Sequence, residues 1–446
     1  MPVATVIPQA AYPATDTPAE QGPSIAALGW QTFFADPALK QLIQLGLDHN
    51  RDLRTATLNI QRAQAQYQIR QSAQQPTVTA NGSVMQQGNT DHSNTAYSVG
   101  LGATAYELDL WGRVANLKGA ALNNYLATQS AQQATRIALI GQISQAYLAL
   151  AFDQEQLKLA QQTLSAQQDS LKLNRKRQEV GIASAVPVRQ SEISVETARL
   201  AIANTQTQLA QDRNLLALLI GQPVPVALLP SSAPTQVVSP ASLSAGLPSD
   251  LLRNRPDLAQ AEYALKAAGA NIAAARAAFY PTISLTGTLG LSSTSLSDLF
   301  KSGAFNYGIG PSISLPIFDA GARQANLAMS QTDQHIALSQ YESAIQAAFR
   351  EVADVLATRS TLNDRLDAQQ RLVAATQANY TLAQARYKAG LDNYLTVLDA
   401  QRNLFSTQQA AISLQQAALI SQVNLYKVLG GGAVDPAVTD TAAATP

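Results

Sequence analysis

The sequence predicts an α+β membrane protein. Four strands per chain pool in a homotrimer into a 12-stranded β-barrel, which continues as a long α-helical coiled-coil tunnel, and each chain carries an internal structural repeat. Three observations predict this. Helix-breaking glycines recur at one offset: Gly112 and Gly321, Gly181 and Gly390, and Gly221 and Gly430 are each 209 residues apart (for example 390 − 181). A helix hairpin that recurs at a fixed offset marks a duplication. Apolar residues recur every seven positions at Ile143, Leu150, Leu157, Leu164 and Leu171, the spacing of coiled-coil packing. Stretches in each half alternate apolar with small or polar residues over roughly ten positions, the length of a tilted membrane-spanning strand.

Composition narrows the class. Of 446 residues, 46% are apolar, 6% aromatic and 13% charged. Little charge with much Gln, Ala and Leu suits long helices packed on one another. Thirty basic and 30 acidic residues cancel, which argues against nucleic acid as a partner. The absence of Cys excludes disulfides and thiolate metal sites. His49, His92 and His335 are too scattered for a His-rich metal centre, and no cofactor is expected. No apolar run approaches the ~20 residues of a membrane helix. No signal peptide stands at Met1, as expected of a mature or a cytosolic form.

In chain order, residues 1–24 are rich in Pro, Ala and Thr and are expected to be extended. The first structural repeat is placed at 25–221. Helical periodicity begins near Asp36, and Pro76 ends it. Strands are expected at about 77–110, with Tyr97, Val99, Leu101, Ala103 and Ala105 apolar and Ser98, Gly100, Gly102 and Thr104 between them. The polar stretch 86–95 reads as their connecting loop. A long helical hairpin follows at 112–220 and turns at Gly181. Residues 222–249, rich in Pro and Ser, read as an equatorial linker with a few short strands. The second structural repeat, 250–430, has strands at about 282–318 and a hairpin at 321–429 that turns at Gly390. Asp392 or Asn393 caps the helix after that turn. Ile143, Leu157, Leu164 and Leu171 map to Val352, Leu366, Val373 and Tyr380, whereas Leu150 maps to Arg359, the one break in register. Residues 431–446 form a C-terminal tail. The returning helices are shorter than their partners, and a rising helix of the opposite half is expected to fill the remaining length.

Aromatics lie near the strand ends at Tyr97, Tyr106, Trp111, Tyr280, Tyr307 and Phe318, as in the girdle of an outer-membrane barrel. The alternative is a soluble four-stranded sheet packed on helices. Helices far longer than such a sheet, and strand faces rich in Gly, Ser and Thr, favour the barrel. Four strands cannot close alone in lipid, where an open edge leaves backbone groups unpaired. Two chains would give a barrel that fills its own interior. Three give an even strand number within the known range, hence a cyclic trimer.

Six stretches then bring a family into view: Gly29-Trp30-x-x-Phe33-Phe34-x-Asp36-Pro37, Asn50-Arg51-Asp52-Leu53, Tyr106-Glu107-Leu108-Asp109-Leu110-Trp111-Gly112-Arg113, Gly246-Leu247-Pro248-Ser249-Asp250-Leu251-Leu252, Arg276-Ala277-Ala278-Phe279-Tyr280-Pro281 and Asn424-Leu425-Tyr426-Lys427-Val428-Leu429-Gly430-Gly431. In this order the chain resembles the TolC-like outer-membrane efflux channels, most closely the OprM-type branch, over nearly everything from Gly29 to Gly432. The resemblance implies a trimeric exit duct in the outer membrane of a Gram-negative bacterium, with its helical tunnel in the periplasm. A periplasmic adaptor would join it to an inner-membrane RND transporter, and the cargo would be drugs, detergents or dyes. It implies outer-membrane lipid around the barrel, no cofactor and no catalysis. Members often begin with a lipid-modified Cys, where this chain has Met1 and no Cys. The alternatives are a type I secretion channel and a soluble coiled-coil scaffold or adaptor.

The resemblance also implies site residues. Leu395 and Asp399 would form an apolar ring and a carboxylate ring at a gate. The alternative for Asp399 is a surface pair with Arg402. Gly181, Gly390, Tyr387 and Asp392 belong to the periplasmic tip, where the adaptor would dock. Tyr387 is read equally as a hydrogen-bonding residue across helix pairs and as a core heptad position. Asp392 and Pro187 stand where the family often has an Arg and its Asp partner, so that salt bridge is not expected. Lys172, Arg175, Lys176 and Arg177 read as a solvated face, and Glu107 with Asp109 as a lumen-facing pair.

Overall fold

The computed structural model describes residues 28–90, 92–238 and 252–432. The expected N-terminal segment, the end of the linker and most of the tail lie outside them. The helices are α1 (Trp30–Phe33), α2 (Pro37–His49), α3 (Arg51–Ser72), α4 (Arg113–Glu179), α5 (Ala185–Ile220), α6 (Pro256–Ala277), α7 (Ala322–Ser360), α8 (Leu362–Lys388) and α9 (Tyr394–Val428). The strands are β1 (Val78–Gly88), β2 (Ser93–Glu107), β3 (Thr282–Ser293) and β4 (Phe305–Ser314). Contacts divide the chain into two units, and they cut across the sequence repeat.

The first unit joins residues 56–131 to 257–344. Its sheet is an antiparallel meander in the order β1-β2-β3-β4. The expected polar loop is tighter than 86–95. Gln86 pairs with Thr95 and Gln87 with Asn94, so the ladder continues and Gly88 meets Ser93. Polar side chains do not stop a ladder whose bonds are all backbone. Near its end β2 carries a bulge between Ala103 and Tyr106, with Ala105 at φ +53°. Such a bulge bends the strand where it leaves the sheet. Both edge strands are open on both faces. Val78 and Val84 on β1, and Tyr307, Ile309 and Ile313 on β4, are all more than 60% exposed. Pro311 is tolerated because β4 is an edge.

The second unit holds residues 28–55, 132–238, 252–256 and 345–432 among the described residues. Asp36 caps α2 by accepting from the Ala38 and Leu39 amides at 2.8 and 3.1 Å, and Pro37 fills the first helical position. Leu39, Leu42 and Ile43 then enter a core with Ile143 and Leu150 of α4, Leu216 and Ile220 of α5, Val352 of α7 and Val423 of α9. Phe33 stacks on Tyr426 with ring centroids 4.3 Å apart.

Three expectations change here. The last carbonyls of α5 and α9 are met from their own half, although Phe33 of the first half stacks on Tyr426 of α9. Asn50, at the start of α3, donates Nδ2 to the Leu219 carbonyl at 2.8 Å, and Arg255, just before α6, donates to the Val428 carbonyl at 3.1 Å. Each shorter helix abuts a helix of its own half, because these side chains satisfy its orphan carbonyls. The second hairpin is also broken, between Ser360 and Leu362. The linker's described part has a single turn of 3₁₀ helix at Val226–Leu228 and one bridge, Phe34 to Val238, with no longer strand.

Asp212 of α5 is 7% exposed. Its Oδ1 accepts from Gln208 Nε2 at 2.9 Å, and its Oδ2 has no conventional donor among the described residues. Asp153 of α4 faces it, and burial together with Asp212 pushes the Asp153 carboxyl up to about 7. Two carboxyl groups make a hydrogen bond only when they share a proton. The folded unit therefore binds the proton more tightly than the unfolded chain does. Its extra stability is present below the usual carboxylate range and is lost as pH rises through about 7. Because Asp153 is only partly buried, the loss should be on the order of 1 kcal/mol after screening. Melting at acid and alkaline pH should show this slope, and Asp153→Asn should remove it. An Asp153→Asn melt with the wild-type slope would dismiss the shared proton.

Candidate functional site: the hairpin turns

Both hairpin turns lie in the second unit. Gly181 and Gly390 close α4 and α8 with φ of +76° and +79°. The Ile182 and Leu391 amides then donate back to the Arg177 and Arg386 carbonyls at 2.9 and 3.0 Å. These are the same six-residue closures in both halves, the geometry that favours Gly. Asn393 caps α9 through the Thr396 amide at 3.2 Å. Asp392 does not cap. It pairs with Arg386 of its own hairpin at 2.7 and 3.0 Å, which holds its carboxyl below the usual range.

One polar chain links the two hairpins. Tyr387 is 7% exposed, and its hydroxyl donates to Asn174 Oδ1 at 2.5 Å. Asn174, fully buried on α4, donates Nδ2 to Ser191 Oγ at 2.6 Å, and Ser191 donates to the Pro187 carbonyl at 2.7 Å. Arg177 covers the other side. It donates to the Tyr387 carbonyl at 3.2 Å and lies 4.7 Å from the Tyr387 ring centroid. Tyr387 thus occupies both roles read from the sequence, a core position and a hydrogen-bond donor between helix pairs. Burial raises the Tyr387 and Tyr394 hydroxyls above the ordinary tyrosine range.

Two sequence readings are corrected. Arg177 is not part of a solvated face, because the Tyr387 ring and carbonyl draw it inward. Arg175 is also paired, to Glu192 at 3.0 Å. Glu107 and Asp109 do not act together as a pair. Glu107 takes a two-pronged bond from Arg113, and Asp109 accepts from the Val114 and Ala115 amides at 3.0 and 2.7 Å. The acids anchor the start of α4 in the first unit, where helix amides favour negative charge. Neither Asn174 nor Ser191 stands out in the sequence, because neither breaks the helical pattern.

Leu395 and Asp399 lie one turn apart on α9. Tyr394, Val397 and Leu398 of that helix are buried in the tip core, whereas Leu395 is 49% exposed and Asp399 is exposed. Asp399 makes no ion pair with Arg402 among the described residues. The two side chains share a stripe that this chain leaves uncovered.

A family model described as "Outer membrane efflux protein" matches residues 42–222 and 247–431. The chain is 45% identical to the probable efflux pump outer membrane protein TtgC of Pseudomonas putida, over 97% of this chain and 90% of that one. It is 42% identical to the cation efflux system protein CusC of Escherichia coli O157:H7, over 91% and 88%. Among solved structures it is similar to the open state of the Neisseria gonorrhoeae MtrE outer membrane channel. That match has 38% identity and a TM-score of 0.87, and covers 97% of this chain and 96% of that one.

Proposed function

The chain belongs to the outer membrane efflux protein family, and from that premise we propose that it is the trimeric exit duct of a tripartite pump for toxic organic compounds. Its relatives are outer-membrane efflux channels of Gram-negative bacteria, and this chain is one of them. The trimer, the cargo and the named roles of the tip residues are the proposal. The observation that carries it is the sheet, with four strands, two open edges and exposed apolar side chains on both edge strands. In lipid each unpaired edge group costs several kcal/mol, so copies must join edge to edge. A periplasmic adaptor and an inner-membrane RND transporter complete the pump. Gly181, Gly390, Tyr387 and Asp392 shape the adaptor's docking surface, and Leu395 with Asp399 narrows the tunnel. Relatives named as antibiotic, toluene and solvent efflux pump proteins support organic cargo.

The chain should remain in the envelope fraction until detergent is added. Light scattering of the extract, corrected for detergent, should give about three times the 47.2 kDa chain mass. A monodisperse monomer would end the edge-to-edge reading.

A further inference from the structure

Four arginines mark the ends of the strands in the first unit. Arg113, after β2, is held by Glu107, and Arg323, after β4, donates to Asp319 at 2.7 Å. Arg70, in the last turn of α3 before β1, and Arg276, in the last turn of α6 before β3, have no side-chain partner among the described residues. A basic residue in a last turn complements the helix carbonyls, and that accounts for Arg70. Arg276 has more around it. It lines a cavity of about 410 Å³ with Trp111, Tyr280, Ile272, Asn116 and Gln334. Trp111 and Tyr280 stack at 4.9 Å, and the indole donates to the Pro281 carbonyl at 2.8 Å, which fixes the ring as a wall.

We propose that this cavity binds the phosphate of a phospholipid headgroup at the periplasmic boundary of the barrel. The inference rests on the membrane reading of the strands. Trp and Tyr concentrate at headgroup level, and both rings stand where helix passes into strand. A guanidinium fork matches two phosphate oxygens, and Arg276 has no carboxylate to occupy it. The Gln334 amide adds a polar wall. Ile272 and the stacked rings offer an apolar wall to the glycerol and the first methylenes. The paired Arg113 and Arg323 show what the chain does when such an arginine is structural: it supplies an acid within a few residues. None is supplied to Arg276.

The test is native mass spectrometry of the full assembly, extracted in mild detergent and titrated with phosphatidylglycerol. Arg276→Gln should weaken binding about tenfold, the worth of one charge-assisted contact. Trp111→Phe, which keeps the cation and alters the apolar wall, should weaken it less. Arg70→Gln should leave it unchanged. Excess inorganic phosphate should not displace the lipid, because it lacks the glycerol and methylenes that the rings cover. Displacement by inorganic phosphate would overturn the lipid and leave a free-phosphate site. Unchanged affinity in both cavity variants, with the protein still in the envelope, would overturn the site alone. Recovery of the wild-type chain in the soluble fraction would overturn the membrane reading and the lipid site together.

Discussion

Gly221→Val and Gly430→Val are each expected to abolish assembly, whereas the same change at Gly181 or Gly390 should leave assembly intact and stop efflux. All four glycines adopt positive φ, between +72° and +95°. A side chain there costs about 1–2 kcal/mol at every one of them. Their surroundings differ. A Cβ on Gly221 would lie 2.3 Å from the His49 carbonyl oxygen, and one on Gly430 would lie 2.5 Å from the Asn254 oxygen. Both obstacles are backbone, pinned where Asn50 and Arg255 tie neighbouring helices together. Relief requires pulling those junctions apart, so the cost should exceed roughly 4 kcal/mol, a large share of a domain's stability. Around Gly181 and Gly390 nothing lies within 4 Å of the added atom. The tips should therefore fold with a strained turn and present an altered surface to the proposed adaptor. Accumulation of assembled protein separates the two pairs, and drug susceptibility reads the tips. Normal drug resistance in both tip variants would remove the turns from the docking surface. Wild-type assembly of both junction variants would mean that those helix ends are free to separate.

These glycines also show what a sequence exposes. The offset of 209 residues is visible without a structure, because positive φ forces the same residue type in both copies. The four strands were legible for a similar reason: alternation with almost no charge leaves few other solutions. The break at Leu150–Arg359 was legible as well, though not its meaning. In the structure α7 ends at Ser360, one residue beyond Arg359, so the lost heptad position accompanies a one-residue break in the helix. Partners across the fold were not legible. Asn174 and Ser191 look like ordinary polar helix residues, yet they carry the link to Tyr387. Asn50 and Arg255 stand 169 and 173 residues from the carbonyls they cap, so no local pattern reports them. Asp109 illustrates the opposite error. Its charge invited a functional role, but helix amides take both of its oxygens.

At the proposed gate, Asp399→Ala should reduce cation preference and Leu395→Ala should raise conductance. Asp392 is unavailable for a latch, because Arg386 of its own hairpin occupies both of its oxygens. Pro187 offers no charge, and its carbonyl already accepts from Ser191. Closure then falls to side chains that the single chain leaves uncovered. Leu395 and Asp399 stand four residues apart on one stripe of α9, and the opposite stripe is packed in the tip core. In a trimer, three leucines in a narrow pore exclude water by dewetting, and three carboxylates one turn away attract cations. Each carboxylate is worth about 1 kcal/mol to a cation at close range in a wet pore, roughly a fivefold bias. Planar-bilayer recordings should show the bias fall by about that factor in Asp399→Ala. The double variant should admit large antibiotics that the wild type excludes. The Tyr387–Asn174 link ties hairpins within one chain and should survive both changes, so the tip should widen without coming apart. Unchanged conductance and selectivity in the double variant would move the constriction away from this stripe, to a level of the tunnel above the turns.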